Sequence, residues 1–167
     1  MNHTKTVILK KDTAERKLRR LAMEVAERNA DKDELILIGI KENGIFIAAK
    51  IAEYLKEVFT GKIELIELSL NKKNPTNISL SKDLNFTNQS VLLIDDVANS
   101  GRTMLYALKP LLNQFPRQIQ TLALVERTYK KFPIAIDYVG LSVSTTQQEN
   151  IVVVVENGEV TGAWLAG

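Results

Sequence analysis

The chain has 167 residues, 45% of them hydrophobic, which is enough apolar surface for one core in a single domain. Its 22 basic and 20 acidic residues nearly balance, so net charge gives no general attraction to nucleic acid or to a membrane. There is no cysteine and one histidine, His3, which excludes disulfides and thiolate sites and argues against a histidine-based catalytic triad.

The amino end and the apolar segments predict where the protein resides. No apolar stretch approaches the ~18 residues that a membrane span needs. The charged amino end also lacks the apolar region of a signal peptide. We therefore expect a cytoplasmic protein that makes no membrane contact.

The first predicted element is a helix over residues 12–29, because apolar side chains recur there at helical spacing. Asp12 and Glu15 resemble a capping box at its start. Basic side chains cluster on the outer face, and a solvated helix face explains them more simply than an RNA-binding site does. The basic residues in this region are Lys10, Lys11, Arg16, Lys17, Arg19 and Arg20.

A strand–helix–strand unit follows. Residues 34–39 predict a buried strand, residues 44–58 an amphipathic helix, and residues 62–70 a second, mostly apolar strand. The polar stretch over residues 71–90, which contains Pro75, shows little periodicity. Long excursions of this kind inside compact domains are often functional, so we interpret it as a lid or hairpin.

The remaining elements are one helix and several short strands. Residues 102–115 predict a helix that Pro110 should bend or shorten. Asn157-Gly158 predicts a tight hairpin turn between two strands. Strands are predicted over residues 118–126, 137–142, 151–156 and 160–165.

Residues 91–104 carry the clearest chemical signal. The apolar run Val91–Ile94 suits a strand that is covered on both faces, and Asp95 and Asp96 follow at its carboxyl end, where open α/β sheets bind ligands. Small and hydroxyl residues around Gly101 let backbone N–H groups approach a phosphate at the start of the next helix. This predicts a site for a sugar phosphate; the alternative is an ordinary crossover with solvated carboxylates.

The same segment resembles the phosphoribosyl pyrophosphate (PRPP) signature of type I phosphoribosyltransferases, in which two acids precede a Thr/Ser-Gly-Lys/Arg-Thr loop. Asp95-Asp96 and Ser100-Gly101-Arg102-Thr103 both match it in register. The resemblance implies an α/β fold with a central, mainly parallel sheet flanked by helices, a small hood and a mobile hairpin. It implies a single domain over residues 1–167, with the hood from parts of 1–12 and 126–167 and the hairpin at 70–90.

Within this family the chain is most similar to the bifunctional pyrimidine-operon attenuator and uracil phosphoribosyltransferases. Beyond the signature, residues 27–29, 37–41 and 132–140 look like theirs. The likeness implies transfer of ribose 5-phosphate from PRPP to a nucleobase, with uracil giving uridine monophosphate (UMP) and pyrophosphate. It also implies Mg²⁺ as cofactor and a homodimer.

The resemblance assigns roles to particular residues. Asp95 and Asp96 are expected to hold the ribose hydroxyls, directly or through Mg²⁺, and Lys72 is expected to close over the pyrophosphate as a third catalytic residue. The strand at 122–125, with residues 138–146, is expected to form the hood around the base. The expected substrate-binding residues are Ile40, Lys41, Glu42, Asn43, Gly44, Val97, Ala98, Asn99, Ser100, Gly101, Arg102, Thr103, Glu126 and Arg127.

Two of these positions favour a pyrimidine over a purine. The 6-oxopurine enzymes carry an acid near purine N7 where this chain has Asn99, and a base-reading lysine where it has Glu126. An asparagine cannot take a proton, and a carboxylate cannot donate to a purine carbonyl. A purine phosphoribosyltransferase is therefore the less favoured alternative.

The chain also departs from its uracil-type relatives. Asn71-Lys72-Lys73-Asn74 replaces an Arg-Asp-Asp run, and Glu42-Asn43 replaces a Thr-Arg pair, so one bidentate fork and one cation are lost. Arg19 and Met23 stand where the RNA-binding relatives have a hydroxyl residue and a histidine. This last difference weakens the case for RNA attenuation. The departure at residues 71–74 motivates an alternative hypothesis, a non-catalytic nucleotide sensor that retains the PRPP pocket and regulates RNA or a protein partner.

Overall fold

The computed structural model describes residues 5–167, in which the chain forms two sheets and four helices. His3, expected in a loose terminus, and the start of the expected hood lie outside the described residues. The helices are α1 (Lys11–Arg28), α2 (Gly44–Val58), α3 (Arg102–Ala107) and α4 (Lys109–Leu112). The strands are β1 (Lys5–Lys10), β2 (Glu34–Ile40), β3 (Lys62–Leu70), β4 (Ile78–Leu80), β5 (Ser90–Ala98), β6 (Gln118–Arg127), β7 (Tyr138–Val143), β8 (Asn150–Glu156) and β9 (Glu159–Ala166).

The larger sheet has the order β4-β3-β2-β5-β6-β7 and is parallel except for β4, which runs antiparallel to β3. Helices α1 and α2 pack on one face and α3 and α4 on the other, so β2 and β5 are buried on both sides. Strands in that position are mainly apolar, as β2 is, and as β5 is apart from Ser90 and the two acids Asp95 and Asp96. The predicted α/β architecture with a mainly parallel central sheet is confirmed.

The smaller sheet is antiparallel, with the order β1-β9-β8. The predicted turn joins its last two strands, and both Asn157 and Gly158 have positive φ there. The expectation that residues 122–125 and 138–146 form a hood around the base is wrong for β6 and β7, which contain residues 122–125 and 138–143. These two strands pair with each other in the larger sheet.

Two local predictions also differ from the structure. Asp12 does not cap α1, because β1 leads directly into the helix and the cap position falls on Lys10. The helix predicted over 102–115 is divided into α3 and α4 around Leu108, because Pro110 lacks an N–H and its ring crowds the carbonyl four residues earlier. In the described residues, no helix has both the length and the apolar character needed to span a membrane.

Candidate functional site

The acid pair lies at the carboxyl end of β5, in the middle of the larger sheet. Asp95 is 1% exposed and Asp96 is 8% exposed. Asp95 Oδ1 accepts the Asp96 backbone N–H at 2.8 Å, and Asp96 Oδ1 accepts that of Val97 at 2.8 Å. Each carboxylate is therefore oriented by the backbone that follows it.

The loop between β2 and α2 contacts this pair. Asn43 Nδ2 donates to Asp96 Oδ2 and to the Val153 carbonyl, both at 3.1 Å. A Cβ at Gly44 would lie 2.9 Å from the Ile94 carbonyl oxygen and 3.0 Å from Asp95 Oδ1. Only glycine therefore lets the start of α2 approach the acids so closely.

The rest of this loop divides between the core and the cleft. Ile40 is fully buried in β2, so its side chain is core and not site. Lys41 and Glu42 are exposed, and the peptide bond between them is cis. The Lys41 N–H donates to the Leu68 carbonyl at 2.8 Å, which fixes the loop against β3.

The segment after β3 lies over the acid pair. Lys72 Nζ is 3.6 Å from Asp95 Oδ2. Arg102 Nη2 donates to the Lys72 carbonyl at 3.0 Å, so the arginine of the expected phosphate loop contacts the hairpin backbone. The lysine expected to close over pyrophosphate is thus paired with one of the two acids.

Burial raises the pKa of the Asp95 carboxyl well above its usual value of 3.8; the Asp96 charge adds to the increase and the Lys72 ammonium opposes it. The folded chain therefore holds this proton more tightly than the unfolded chain does. The contribution of Asp95 to stability consequently falls as pH rises through its folded-state pKa.

Replacing Asp95 with asparagine removes this titration. We expect the variant to have a higher free energy of unfolding than the wild type at about pH 8, and the difference to shrink toward about pH 4. Urea titrations at several pH values measure it. The matched control Asp83→Asn, at an exposed position, should show no such trend. An Asp95→Asn variant that is less stable than the wild type at the higher pH would contradict the prediction.

The loop from β5 to α3 closes around a small cavity. Gly101 has φ +87°, and the Ser100 carbonyl accepts the backbone N–H groups of Lys131 and Phe132, both at 3.0 Å. The enclosed volume is about 80 Å³. Its lining includes Val97, Ala98, Asn99, Ser100, Gly101 and Thr103. The predicted phosphate loop thus lines this space, and two of its residues, Ser100 and Thr103, carry hydroxyl groups.

Two larger cavities adjoin the first. One, of about 460 Å³, is lined by the loop at 41–43, residues 70–73 and Asp96. The other, of about 260 Å³, lies between Asp96, residues 97 and 99, and residues 151–153 of β8. Lys72 lines all three cavities. The structure therefore brings together the acids, both loops and the hairpin, and it adds β8, which the sequence had indicated only as a strand.

Glu126 and Arg127 line none of these three cavities. Glu126 Oε1 is 2.9 Å from Lys130 Nζ, and both side chains are mostly buried. Arg127 Nη2 donates to the Glu149 carbonyl at 2.7 Å, and its Nη1 donates to that of Thr146 at 3.3 Å. These two residues therefore hold the segment between β6 and β8 in place, and their geometry gives no support to a role in reading the base.

The acid pair was also the predicted metal site. Within residues 5–167, no cluster of three or more Asp, Glu, His or Cys side chains has the arrangement of a metal cage. Two neighbouring carboxylates do fit Mg²⁺, which prefers oxygen ligands and is commonly held by one or two carboxylates, waters and substrate phosphates. The donor set therefore suits an ion that arrives with a phosphorylated substrate.

An acid pair at the end of a central parallel strand, followed by a glycine loop around a small cavity, is typical of α/β domains that bind sugar phosphates or nucleotides. The family model for the phosphoribosyl transferase domain matches residues 6–157, and the chain belongs to this family. The resemblance found in the sequence is thereby confirmed.

Curated relatives share this assignment. The chain is 36% identical over 159 residues to "Bifunctional protein PyrR" of Bacillus cereus strain AH820, covering 88% of each chain. The protein of the same name from Bacillus thuringiensis subsp. konkukian gives the same values. The likeness to the bifunctional pyrimidine group, stated above from sequence segments, is thus confirmed.

Solved structures share the fold. A hypoxanthine phosphoribosyltransferase from Trypanosoma cruzi, a mutant in a ternary substrates complex, superposes with a TM-score of 0.77, covering 94% of both chains at 12% identity. A hypoxanthine-guanine phosphoribosyltransferase from Bacillus anthracis gives a TM-score of 0.71, covering 91% of this chain and 88% of that one at 19% identity. At such identities these neighbours show the fold alone.

Proposed function

We propose that this protein transfers ribose 5-phosphate from PRPP to uracil, giving UMP and pyrophosphate. The observation that carries the proposal is the set of three adjoining cavities around one acid pair. A phosphate loop, a cleft with lysines and a wall of apolar strand residues match the three parts of the reaction: 5′-phosphate, pyrophosphate and base.

The chemistry requires positioning and charge stabilisation more than covalent catalysis. Departure of pyrophosphate leaves a ribose with oxocarbenium character, which the carboxylates of Asp95 and Asp96 stabilise while they hold its hydroxyls. Lys41 and Lys72 contribute positive charge beside the leaving group. Mg²⁺, held by the acids with the substrate's own oxygens, would supply further neutralisation of the pyrophosphate charge.

The preference for uracil rests on Asn99 and on the named relatives. Asn99 is exposed and lines both the 80 Å³ and the 260 Å³ cavities, so it lies between the phosphate and base sides of the cleft. Its amide cannot take a proton from a purine imidazole ring. The pyrimidine assignment therefore depends on a residue that contacts the proposed base cavity.

A base panel tests the proposal directly. Purified protein is incubated with PRPP, Mg²⁺ and, separately, uracil, cytosine, orotate, hypoxanthine, guanine and adenine, and pyrophosphate release is measured. We expect release with uracil and little with the purines. Release with hypoxanthine or guanine alone would instead support the purine alternative. Sedimentation of the same sample checks the homodimer that we propose from the family resemblance.

A second candidate is a regulator that binds nucleotide without turnover. The Lys72–Asp95 contact favours it, because a lysine that pairs with a ribose-binding acid is withdrawn from pyrophosphate. For RNA the structure gives less support, since Arg20 donates to the Val139 and Gly140 carbonyls and Arg19 stacks on the Tyr54 ring. Nucleotide binding without pyrophosphate release from any base would favour the regulator, and salt-dependent RNA binding that requires Arg16, Arg19 and Arg20 would identify its partner.

A further inference from the structure

The two larger cavities share a boundary made of three residues. Asn43, Lys72 and Asp96 line both the 460 Å³ and the 260 Å³ cavity. In a phosphoribosyl transfer the anomeric carbon breaks its bond to pyrophosphate on one side and forms a bond to the base nitrogen on the other. If the larger cavity takes pyrophosphate and the smaller takes the base, the anomeric carbon lies at the boundary between them. This assignment of the two cavities rests on the proposed function.

The side chain of Asn43 joins three separate parts of the molecule at this boundary. It stands before α2, and its amide nitrogen donates one hydrogen bond to Asp96 at the end of β5 and one to Val153 in β8 of the smaller sheet. The Val153 carbonyl can only accept a hydrogen bond, which fixes the orientation of the amide. Both of its N–H groups are therefore committed, and within residues 5–167 its Oδ1 accepts no hydrogen bond.

The two acids are thus held in different ways. Asp95 faces the Lys72 ammonium group, whose positive charge offsets that of the carboxylate. Asp96 Oδ2 instead accepts from a neutral amide, which orients the carboxyl group without an ion pair. A full negative charge is what stabilises a ribose with developing positive charge, and it is effective only when held in place beforehand.

We propose that Asn43 is a positioning residue for the transfer reaction: one amide group holds the Asp96 carboxylate and the β8 wall of the base cavity in register with each other. Asn43 acts through these two partners and not by contact with the reacting atoms. Its loss would let the Asp96 carboxylate rotate away and the base-side strand β8 shift.

Kinetics of Asn43→Ala test this role. We expect kcat to fall roughly 10- to 100-fold, as misplacement of a catalytic group by about 1 Å does. We also expect KM for uracil to rise, because the wall of the base cavity loses the hydrogen bond that holds it. Asn43→Gln, which keeps both donors on a longer side chain, should recover part of the lost kcat.

Asn113→Ala is the matched control. Asn113 is exposed at the end of α4, and no hydrogen bond from its side chain exists within the described residues. It should match the wild type in kcat, KM and melting temperature. If Asn43→Ala keeps kcat within about threefold of the wild type, or loses activity only in proportion to a loss of folded protein, the positioning role is overturned.

A binding measurement separates failure of this inference from failure of the proposed function. Wild-type protein that releases no pyrophosphate with any base overturns the proposed function alone. UMP affinity, measured by calorimetry, then tests Asn43: we expect Asn43→Ala to bind UMP roughly tenfold more weakly, because an Asp96 carboxylate that is no longer held in place loses about one hydrogen bond to the ribose. Unchanged UMP affinity would overturn the inference.

Discussion

Replacement of both Asp95 and Asp96 by asparagine is expected to weaken binding of Mg²⁺-PRPP at least about 100-fold and to abolish pyrophosphate release. Hydrogen bonds to charged groups contribute roughly 1.5–3 kcal/mol each, and two ribose hydroxyls would lose them. The fold should persist, because burial of the Asp95 carboxylate works against stability. Calorimetry with PRPP and Mg²⁺ measures the affinity, and a melting curve verifies the fold.

Asp83→Asn is the control for the loss of one carboxylate from this chain. Asp83 is exposed on the connection between β4 and β5 and should bind PRPP like the wild type. A folded double variant that retains wild-type PRPP affinity would show that the acid pair is not the ribose site.

Replacement of Gly101 by alanine is expected to lower the free energy of unfolding by about 2–5 kcal/mol and to weaken binding of PRPP. Two effects add. The residue has φ +87°, where a Cβ costs about 1–2 kcal/mol. The added methyl would also lie 2.6 Å from Ile134 Cγ2 and 3.3 Å from the Phe132 carbonyl oxygen, which amounts to overpacking at roughly 1–3 kcal/mol.

Gly158→Ala separates the two effects. Gly158 has a similar φ of +77°, but a Cβ there would meet nothing within 4 Å. We expect this control to cost only the backbone strain, about 1–2 kcal/mol, and to leave PRPP binding unchanged. Urea titrations compare the variants. Equal losses for the two alanine variants would show that packing of the phosphate loop against residues 132–134 contributes nothing.

The strands and helices that the sequence predicted well are those with long, regular patterns. β2 and β3 are apolar over most of their length, and α2 has a clear inward face, so their existence and, to within one residue, their bounds agree with prediction. β5 is also predicted, but it continues through the acid pair to Ala98. β4 has three residues in a polar stretch and forms only because it pairs with β3. The hydrophobic pattern of a strand also does not show which strands it pairs with. The sequence therefore does not reveal that β6 and β7 are neighbours in the larger sheet.

In the candidate site, too, features within one continuous segment could be predicted, and contacts between distant segments could not. The acids and the loop after them are contiguous in sequence, so their juxtaposition follows from a single strand–loop–helix unit. The contacts of Lys72 with Asp95, of Asn43 with Val153, and of Arg127 with Glu149 depend on how separate segments meet. No periodicity or spacing encodes such pairs, and they decide which expected residues reach the cleft.

The strand order of the smaller sheet has a consequence for folding during synthesis. Its central strand, β9, is the last strand of the chain, and β1 and β8 both pair with it. A nascent chain that has not yet released β9 can assemble the larger sheet, with its acids and phosphate loop, but β1 and β8 still lack their common partner. Under the proposed assignment of the cavities, the β8 wall of the base cavity is thus the last part of the cleft to form, after the loop that is proposed to bind phosphate.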